Sequence, residues 1–419
     1  MKIPTALKAF VFALCYGFAF LFLQYFFSKT GFLIKPDTHN LVSWDAGYYK
    51  IISESGYDER SESMGFFILF PLIWKMSMAG VWGVVYLNIV LFAAGFALLC
   101  SALEEKDNSL WLLWLTLPSV FFAFVPYSEA TFFFFGSMIV YALRKRKNGL
   151  LWIALFLISL VRATGVFLIP AFLAAELLSN PARLWWRSVL VSLYRHALPM
   201  LLALGLFIVW QYHQTGIWFA YFKKQAQHWG HTFSWPGLPF SNIENAESRY
   251  HWLSALALLI DVVALSFIIW QGLRWLKGRD TRDKDLLVSA GYLTMVLISV
   301  LLLNPKYGGT NTMIMGAHRY TFATPFLFVF VQFWYRQQLT WKQILLFMLL
   351  ANGFFLLFGT YDLQNKFTHV GAINNLLLLA FLLYARFPKR YWLVMGIVSI
   401  NFFMQMHYFQ QFISLLYPD

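Results

Sequence analysis

The chain has 419 residues, is 60% hydrophobic and 12% charged, and carries a formal net charge of +13. Soluble domains run at about 45–50% apolar and about 25% charged, so this composition excludes a water-soluble fold and makes lipid the main solvent. Cys15 and Cys100 both lie in apolar runs, which excludes a disulfide framework, and the positive charge sits in short loops between such runs, as in cytoplasmic membrane loops rather than a nucleic-acid surface.

A helix needs about 20 apolar residues to cross a bilayer, and only helices satisfy the backbone in lipid for a pattern of this kind. Apolar runs near 7–27, 81–103, 109–125, 129–143, 149–161, 163–178, 197–213, 252–273, 286–303, 318–335, 342–358, 371–385 and 391–408 predict an all-α polytopic membrane protein. That is about 13 transmembrane helices in a single membrane domain, 1–419. The first run, Leu7 to Phe27, is too long for a signal-peptide core and reads as a retained helix. The pair 149–161 and 163–178 is short. The stretch 66–79 holds Pro71 and reads as a re-entrant or interfacial segment, or as the start of the second span.

Orientation follows from the basic residues. With Lys2 and Lys8 in the cytoplasm, Lys106, the run Arg144 to Lys147, Arg183, Arg187, Arg195, the basic residues of 274–284, Arg336, Lys342 and those of 386–390 share that side. The long loops 28–80, 214–250, 304–317 and 359–370 then fall outside. Loops held by a rigid scaffold carry function, so the site is expected on the outer face, periplasmic, extracellular or lumenal.

The first outer loop is the most informative segment. Trp44 and Asp45 precede Tyr48, Ile51 and Ile52 at helical spacing, which predicts an interfacial amphipathic helix opening at Asp45. Asp45 reads either as a helix cap or as a functional carboxylate. Arg162 breaks a long apolar stretch, and so either faces a polar cavity or snorkels to headgroups. Glu129, after Tyr127, is a helix-start charge or a lining residue of the same cavity. His318 and Arg319 open another span, as interfacial anchors or as ligands. The loop 214–250 mixes Gln225, Gln227, His228, Trp229, His231 and Trp235, which suits sugars, lipid headgroups or any interfacial loop. A carboxylate that takes an acceptor proton, with cations that stabilise a departing phosphate, is what sugar transfer from a lipid phosphate requires. No Gly-rich phosphate loop, zinc-protease helix or Gly-x-Ser-x-Gly elbow is present.

Trp44-Asp45, Tyr49, Gly56-Tyr57, the Phe66-Phe67 and Phe70-Pro71-Leu72 block, Tyr127-Ser128-Glu129, Arg162 with Gly165, and Arg319-Tyr320 with Pro325 occur in this order. In them the sequence resembles the GPI mannosyltransferase 2 family and its prokaryotic relatives, with Ile52-Ser53 standing for Ile-Ala and the Phe-Phe-Pro-Leu block interrupted. The resemblance implies a C-type glycosyltransferase fold and a polyprenyl-phosphate sugar donor, mannose above all. It also implies a glycolipid or glycan acceptor and a single inverting displacement with Asp45 as general base. Trp44, Tyr49, Tyr127, Glu129, Arg162, His318 and Arg319 would line the donor site. No metal site or cofactor is expected, and metal dependence stays open. The expected partners are membrane lipids, with an accessory membrane subunit left open, and the expected home is a prokaryotic plasma membrane. The competing expectation is a flippase or transporter of lipid-linked sugars, with Glu176 and Asp261 as its acidic candidates.

Overall fold

The computed structural model describes residues 4–238, 240, 252–278, 283–303, 306–307, 311–337, 339–358, 372–387 and 390–415. The predicted loop 359–370 and part of 214–250 lie outside the described residues. The chain is all-helical apart from a two-residue antiparallel ladder in which Lys306 pairs with Thr312. Its helices run α1 (Thr5–Lys29), α2 (Asp45–Ser55), α3 (Leu69–Ser77), α4 (Val81–Leu103), α5 (Asn108–Leu115), α6 (Glu129–Arg144), α7 (Asn148–Ile158), α8 (Leu168–Ser179) and α9 (Trp185–Val191). There follow α10 (Leu198–Thr215), α11 (Ala220–Gln227), α12 (Trp252–Leu276), α13 (Lys284–Leu303), α14 (Ala317–Phe322), α15 (Pro325–Tyr335), α16 (Trp341–Phe355), α17 (Ala372–Arg386) and α18 (Tyr391–Ile413).

Among the described residues, six helices are long and apolar enough to cross a membrane, or seven if one sharply bent pair is counted as a single span. The six are α1, α4, α12, α13, α18 and a continuous helix Ala182–Thr215 that contains α9 and α10. The chain is therefore a multi-pass membrane protein. Several other apolar runs form shorter helices: Asn148–Ile158, Ala163–Ser179, Pro325–Tyr335, Trp341–Phe355 and Asn374–Arg386.

Two predicted single spans are broken. The run 109–125 is α5, then a turn at Thr116, then a 3-10 segment Pro118–Phe124, which meets α6 at 102°. Proline at the first position of a helical segment lacks the donor that a continuing helix requires. The run 318–335 is likewise cut into α14 and α15, with Pro325 opening α15. The stretch 66–79 resolves into the short α3, separated from α4 by Met78 in a left-handed conformation.

Broken helices expose backbone carbonyls, and in apolar surroundings each needs a donor. Turn N–H groups supply some, Val120 N to Leu117 O at 2.9 Å and Tyr127 N to Val125 O at 2.7 Å, and side-chain amides add the rest. Asn88, fully buried in α4, donates from Nδ2 to the carbonyls of Val125 at 2.6 Å and Tyr127 at 3.0 Å. Gln405 of α18 donates to Leu115 O at 3.0 Å and Leu117 O at 3.1 Å, and accepts from Tyr16 Oη of α1. Around these ties the core is aromatic. Phe92 packs on Phe124 and Phe133, and Trp114 stacks on Phe328 at 4.9 Å.

The helices give the molecule two chemically different ends. α6 starts at Glu129 and finishes at Arg144, roughly 24 Å away at about 1.5 Å per residue. There Arg144 Nε donates to Asp285 Oδ2 at 2.7 Å, at the start of α13. α8 likewise runs away from Arg162 toward Glu176, which meets His196 and Lys284.

Asn88→Leu removes two side-chain hydrogen bonds to the 125–127 break while keeping the side-chain volume similar, and leaves Val125 O its turn bond from Tyr127 N. We expect a loss of about 1–3 kcal/mol from two lost buried hydrogen bonds, read as a lowered unfolding temperature of the detergent-solubilised protein. An unchanged transition would show that the break is satisfied elsewhere.

Candidate functional site

Four charged side chains from separate stretches of chain meet at one end of the helices. Asp45 opens α2, Glu129 opens α6, Arg162 lies in the turn between α7 and α8, and Arg319 lies in α14. Glu129 Oε1 joins them. It lies 2.8 Å from Arg319 Nη2, 3.0 Å from Arg319 Nε and 2.9 Å from Arg162 Nη1. Arg319 Nη2 also donates to Asp45 Oδ2 at 3.0 Å. The Glu129 side chain is fully buried, whereas that of Asp45 is 31% exposed. The accessible carboxylate is therefore Asp45, and Glu129 is its buried foundation. Glu129 Oε2 has no hydrogen-bond partner among the described residues.

These positions exclude a helix-cap role for Asp45 and headgroup snorkelling for Arg162. α2 has no side-chain cap, and the Asp45 carboxylate is turned to Arg319 rather than to its own helix start. Arg162 points inward to Glu129 with a side chain only 10% exposed, so it does not snorkel.

Aromatic rings fix the guanidiniums in place. Arg319 lies over Phe122 at 4.7 Å and Tyr127 at 4.8 Å, and Arg162 over Tyr320 at 5.0 Å, distances at which ring quadrupoles attract cations. Tyr127 Oη accepts from the Asp45 backbone N–H at 3.1 Å, and Tyr49 Oη hydrogen-bonds Ser128 Oγ at 3.0 Å. Both bonds tie α2 to the break before Glu129. His318 is buried and hydrogen-bonds Ser119 Oγ through Nδ1 at 2.8 Å, anchoring α14 on the 3-10 segment. Trp44 is exposed and holds a positive φ of 57° with ψ of −129°. A non-glycine residue in such a region costs about 1–3 kcal/mol and persists where its surroundings over-determine it. The residue that follows is held at both its backbone, by Tyr127 Oη, and its carboxylate, by Arg319.

The end of α10 and the first part of loop 214–250 lie on the first loop, while the described residues of 231–240 bond Leu302, Leu303, Thr312 and Leu357. Gln225 Nε2 donates to Gly65 O at 2.9 Å, Gln211 Nε2 to Met64 O at 2.8 Å, and Tyr57 N donates to Gln214 Oε1 at 2.8 Å. The Trp229 ring covers Gly65 so closely that a Cβ there would lie 2.2 Å from it. Gly56 turns the chain at a φ of +80° beneath Gln214. His228 Nδ1 stands 4.0 Å from Glu62 Oε1, His231 Nδ1 hydrogen-bonds Leu303 O at 2.9 Å, and Trp235 is exposed.

Sequence reasoning missed Asn88, Ser119, Phe122 and Gln214. A lone Asn in the apolar run Tyr86-Leu87-Asn88-Ile89-Val90 was the one available signal, since a polar group at membrane depth needs a reason. Ser119, Phe122 and Gln214 carry no pattern that separates them from ordinary packing.

Chemically, two guanidiniums and two carboxylates make a formally neutral group with one accessible acid. Among the described residues, no three or more His, Cys, Asp or Glu side chains gather as a metal site. Comparison of the chain with protein-family models, with curated proteins and with solved structures finds no match.

Glu129→Ala leaves two arginines without the carboxylate they share, and breaking a buried ion pair this way costs about 3–5 kcal/mol. Asp45→Asn keeps shape and alters a partly exposed contact, so its cost is expected to stay under about 1 kcal/mol. Parallel thermal unfolding in detergent checks the ranking; equal losses would overturn the division between foundation and accessible acid.

Proposed function

We propose that the chain is a membrane glycosyltransferase that moves a hexose from a polyprenyl-phosphate donor to a lipid-linked or glycan acceptor. Mannose is the sugar suggested by the resemblance to the GPI mannosyltransferase 2 family. The observation that carries the reading is the junction of Asp45, Glu129, Arg162 and Arg319. It brings together residues that the family-like motifs hold 274 positions apart in the chain.

In this reading the acceptor hydroxyl oxygen attacks the anomeric carbon as the bond from that carbon to the phosphate oxygen breaks. The bonding pair leaves with the phosphate, and Asp45 takes the hydroxyl proton. One displacement converts a β-linked donor into an α-linked product. Charge follows the same course. A phosphodiester donor carries one negative charge and the released monoester up to two. Protonation of Asp45 shifts the neutral group of four by one positive charge at the same moment. Arg162 and Arg319 then face the growing phosphate charge, the complementarity that lowers such barriers. Glu129 keeps both guanidiniums oriented throughout.

The reading also takes the fold as C-type glycosyltransferase-like with about 13 membrane passes, several of them short or broken. The N-terminus is placed in the cytoplasm and the group of four at the outer face, because the run Arg144 to Lys147 lies at the opposite end of α6.

A flippase is the second reading. Asp261 favours it: a buried carboxyl in α12 that accepts from Thr321 Oγ1 at 2.9 Å and has an unpartnered Oδ1 among the described residues. Covalent product separates the two. Purified protein in proteoliposomes is given radiolabelled polyprenyl-phosphate mannose and a mixed glycolipid acceptor. Transfer is expected, with Asp45→Asn lowering turnover by about 10²–10⁴-fold, the usual worth of a positioned base. Asp45→Asn turnover near wild type sinks the base assignment, and lipid movement without product supports the flippase.

A further inference from the structure

The helix Ala182–Thr215 is 34 residues long, about 51 Å at about 1.5 Å per residue. A hydrocarbon core is only about 30 Å thick. Its first half is built inside out. Ser188, Ser192 and His196, four residues apart, form the buried stripe against α8. Trp185, Trp186, Leu190, Leu193 and Tyr194 are exposed, Tyr194 at 74%. Polar residues inward and aromatic or aliphatic residues outward suit a helix whose outer surroundings are the lipid interface.

Three arginines stand on this stretch, Arg183, Arg187 and Arg195, all exposed, with the Arg187 guanidinium 5.6 Å from the Trp186 ring. The neighbouring helix ends add charge. Trp275 Nε1 donates to Asn180 O at 2.6 Å, which brings the end of α12, with Arg274 and Lys277, beside the start of this helix. The nearby Glu176 does not cancel that charge, because it is already engaged by His196 Nε2 at 2.8 Å and by Lys284 Nζ. Among the described residues there, Asp283 is an exposed carboxylate. A π-turn at Ser192–Ala197 widens the helix where His196 reaches Glu176. It keeps Arg195 on the open side while His196 stays inside.

We infer that this surface, at the end of the molecule away from Asp45, is a binding site for the headgroup of an anionic phospholipid. Arg183, Arg187 and Arg195 attract the headgroup, and the acyl chains lie along the exposed Leu190 and Tyr194 side. Headgroup and chain are both required, since the cations alone would serve any anion and the apolar face alone any lipid. The site is independent of the transfer reaction proposed above.

The test uses the purified full-length protein in detergent, titrated separately with phosphatidylglycerol and phosphatidylcholine, with bound lipid counted by native mass spectrometry. The expected result is a preference for phosphatidylglycerol of about fivefold or more. The triple substitution Arg183→Gln, Arg187→Gln, Arg195→Gln should reduce that preference to about twofold or less. Wild-type protein in about 0.5 M NaCl should behave like the variant, which keeps the test decisive should the variant not fold. Asp45→Asn should retain the full preference. Equal binding of the two lipids by wild type, or a preference that survives in the triple variant, overturns the inference. Displacement of phosphatidylglycerol by millimolar inorganic phosphate overturns it too, because the site would then be for a free anion.

Discussion

A single buried carboxylate oxygen, Glu129 Oε1, holds two guanidiniums, and the geometry of this end of the molecule depends on it. Charges out of water are stable only when paired and hydrogen-bonded. That requirement forces the starts of α2 and α6, the α7–α8 turn and α14 to one point. Rings of Phe122, Tyr127 and Tyr320 close over the arginines and add attraction without adding countercharge. The carboxylate left in reach of solvent is the one that follows the strained Trp44.

The charged junction is possible because the helices around it are interrupted. A continuous helix through 109–144 would carry Glu129 past the junction in mid-span; the bend at Pro126–Ser128 instead presents it at a helix start. The cost of the interruption is a set of carbonyls outside regular helix, met by turn N–H groups and by Asn88 and Gln405. The site and the polar residues buried deep among the apolar helices are thus parts of one arrangement: the first needs the breaks, and the second make the breaks tolerable.

Much of this was legible in the sequence, because lipid leaves few choices. Apolar runs of sufficient length predict helices, and α1, α4, α12, α13 and α18 match their predicted runs closely. Asp45, Glu129, Arg162 and Arg319 stood out as charges beside apolar stretches, and the structure joins all four. Broken spans were not legible, since hydropathy averages across Pro118 and Pro325 as if the backbone continued. The inward turn of Arg162 was legible as one of two readings, since snorkelling and pairing leave the same trace in sequence. Asn88 and Gln405 act on carbonyls 37 and 290 positions away, distances at which no local pattern reports a contact.

The Gln405 tie has a consequence for biogenesis. Its two acceptors, Leu115 and Leu117, leave the ribosome long before α18 is made. Until then Leu117 O keeps only its turn bond from Val120 N and Leu115 O lacks its Gln405 donor, so the α5 break is held by fewer hydrogen bonds. Final locking of the early helices waits on a late one.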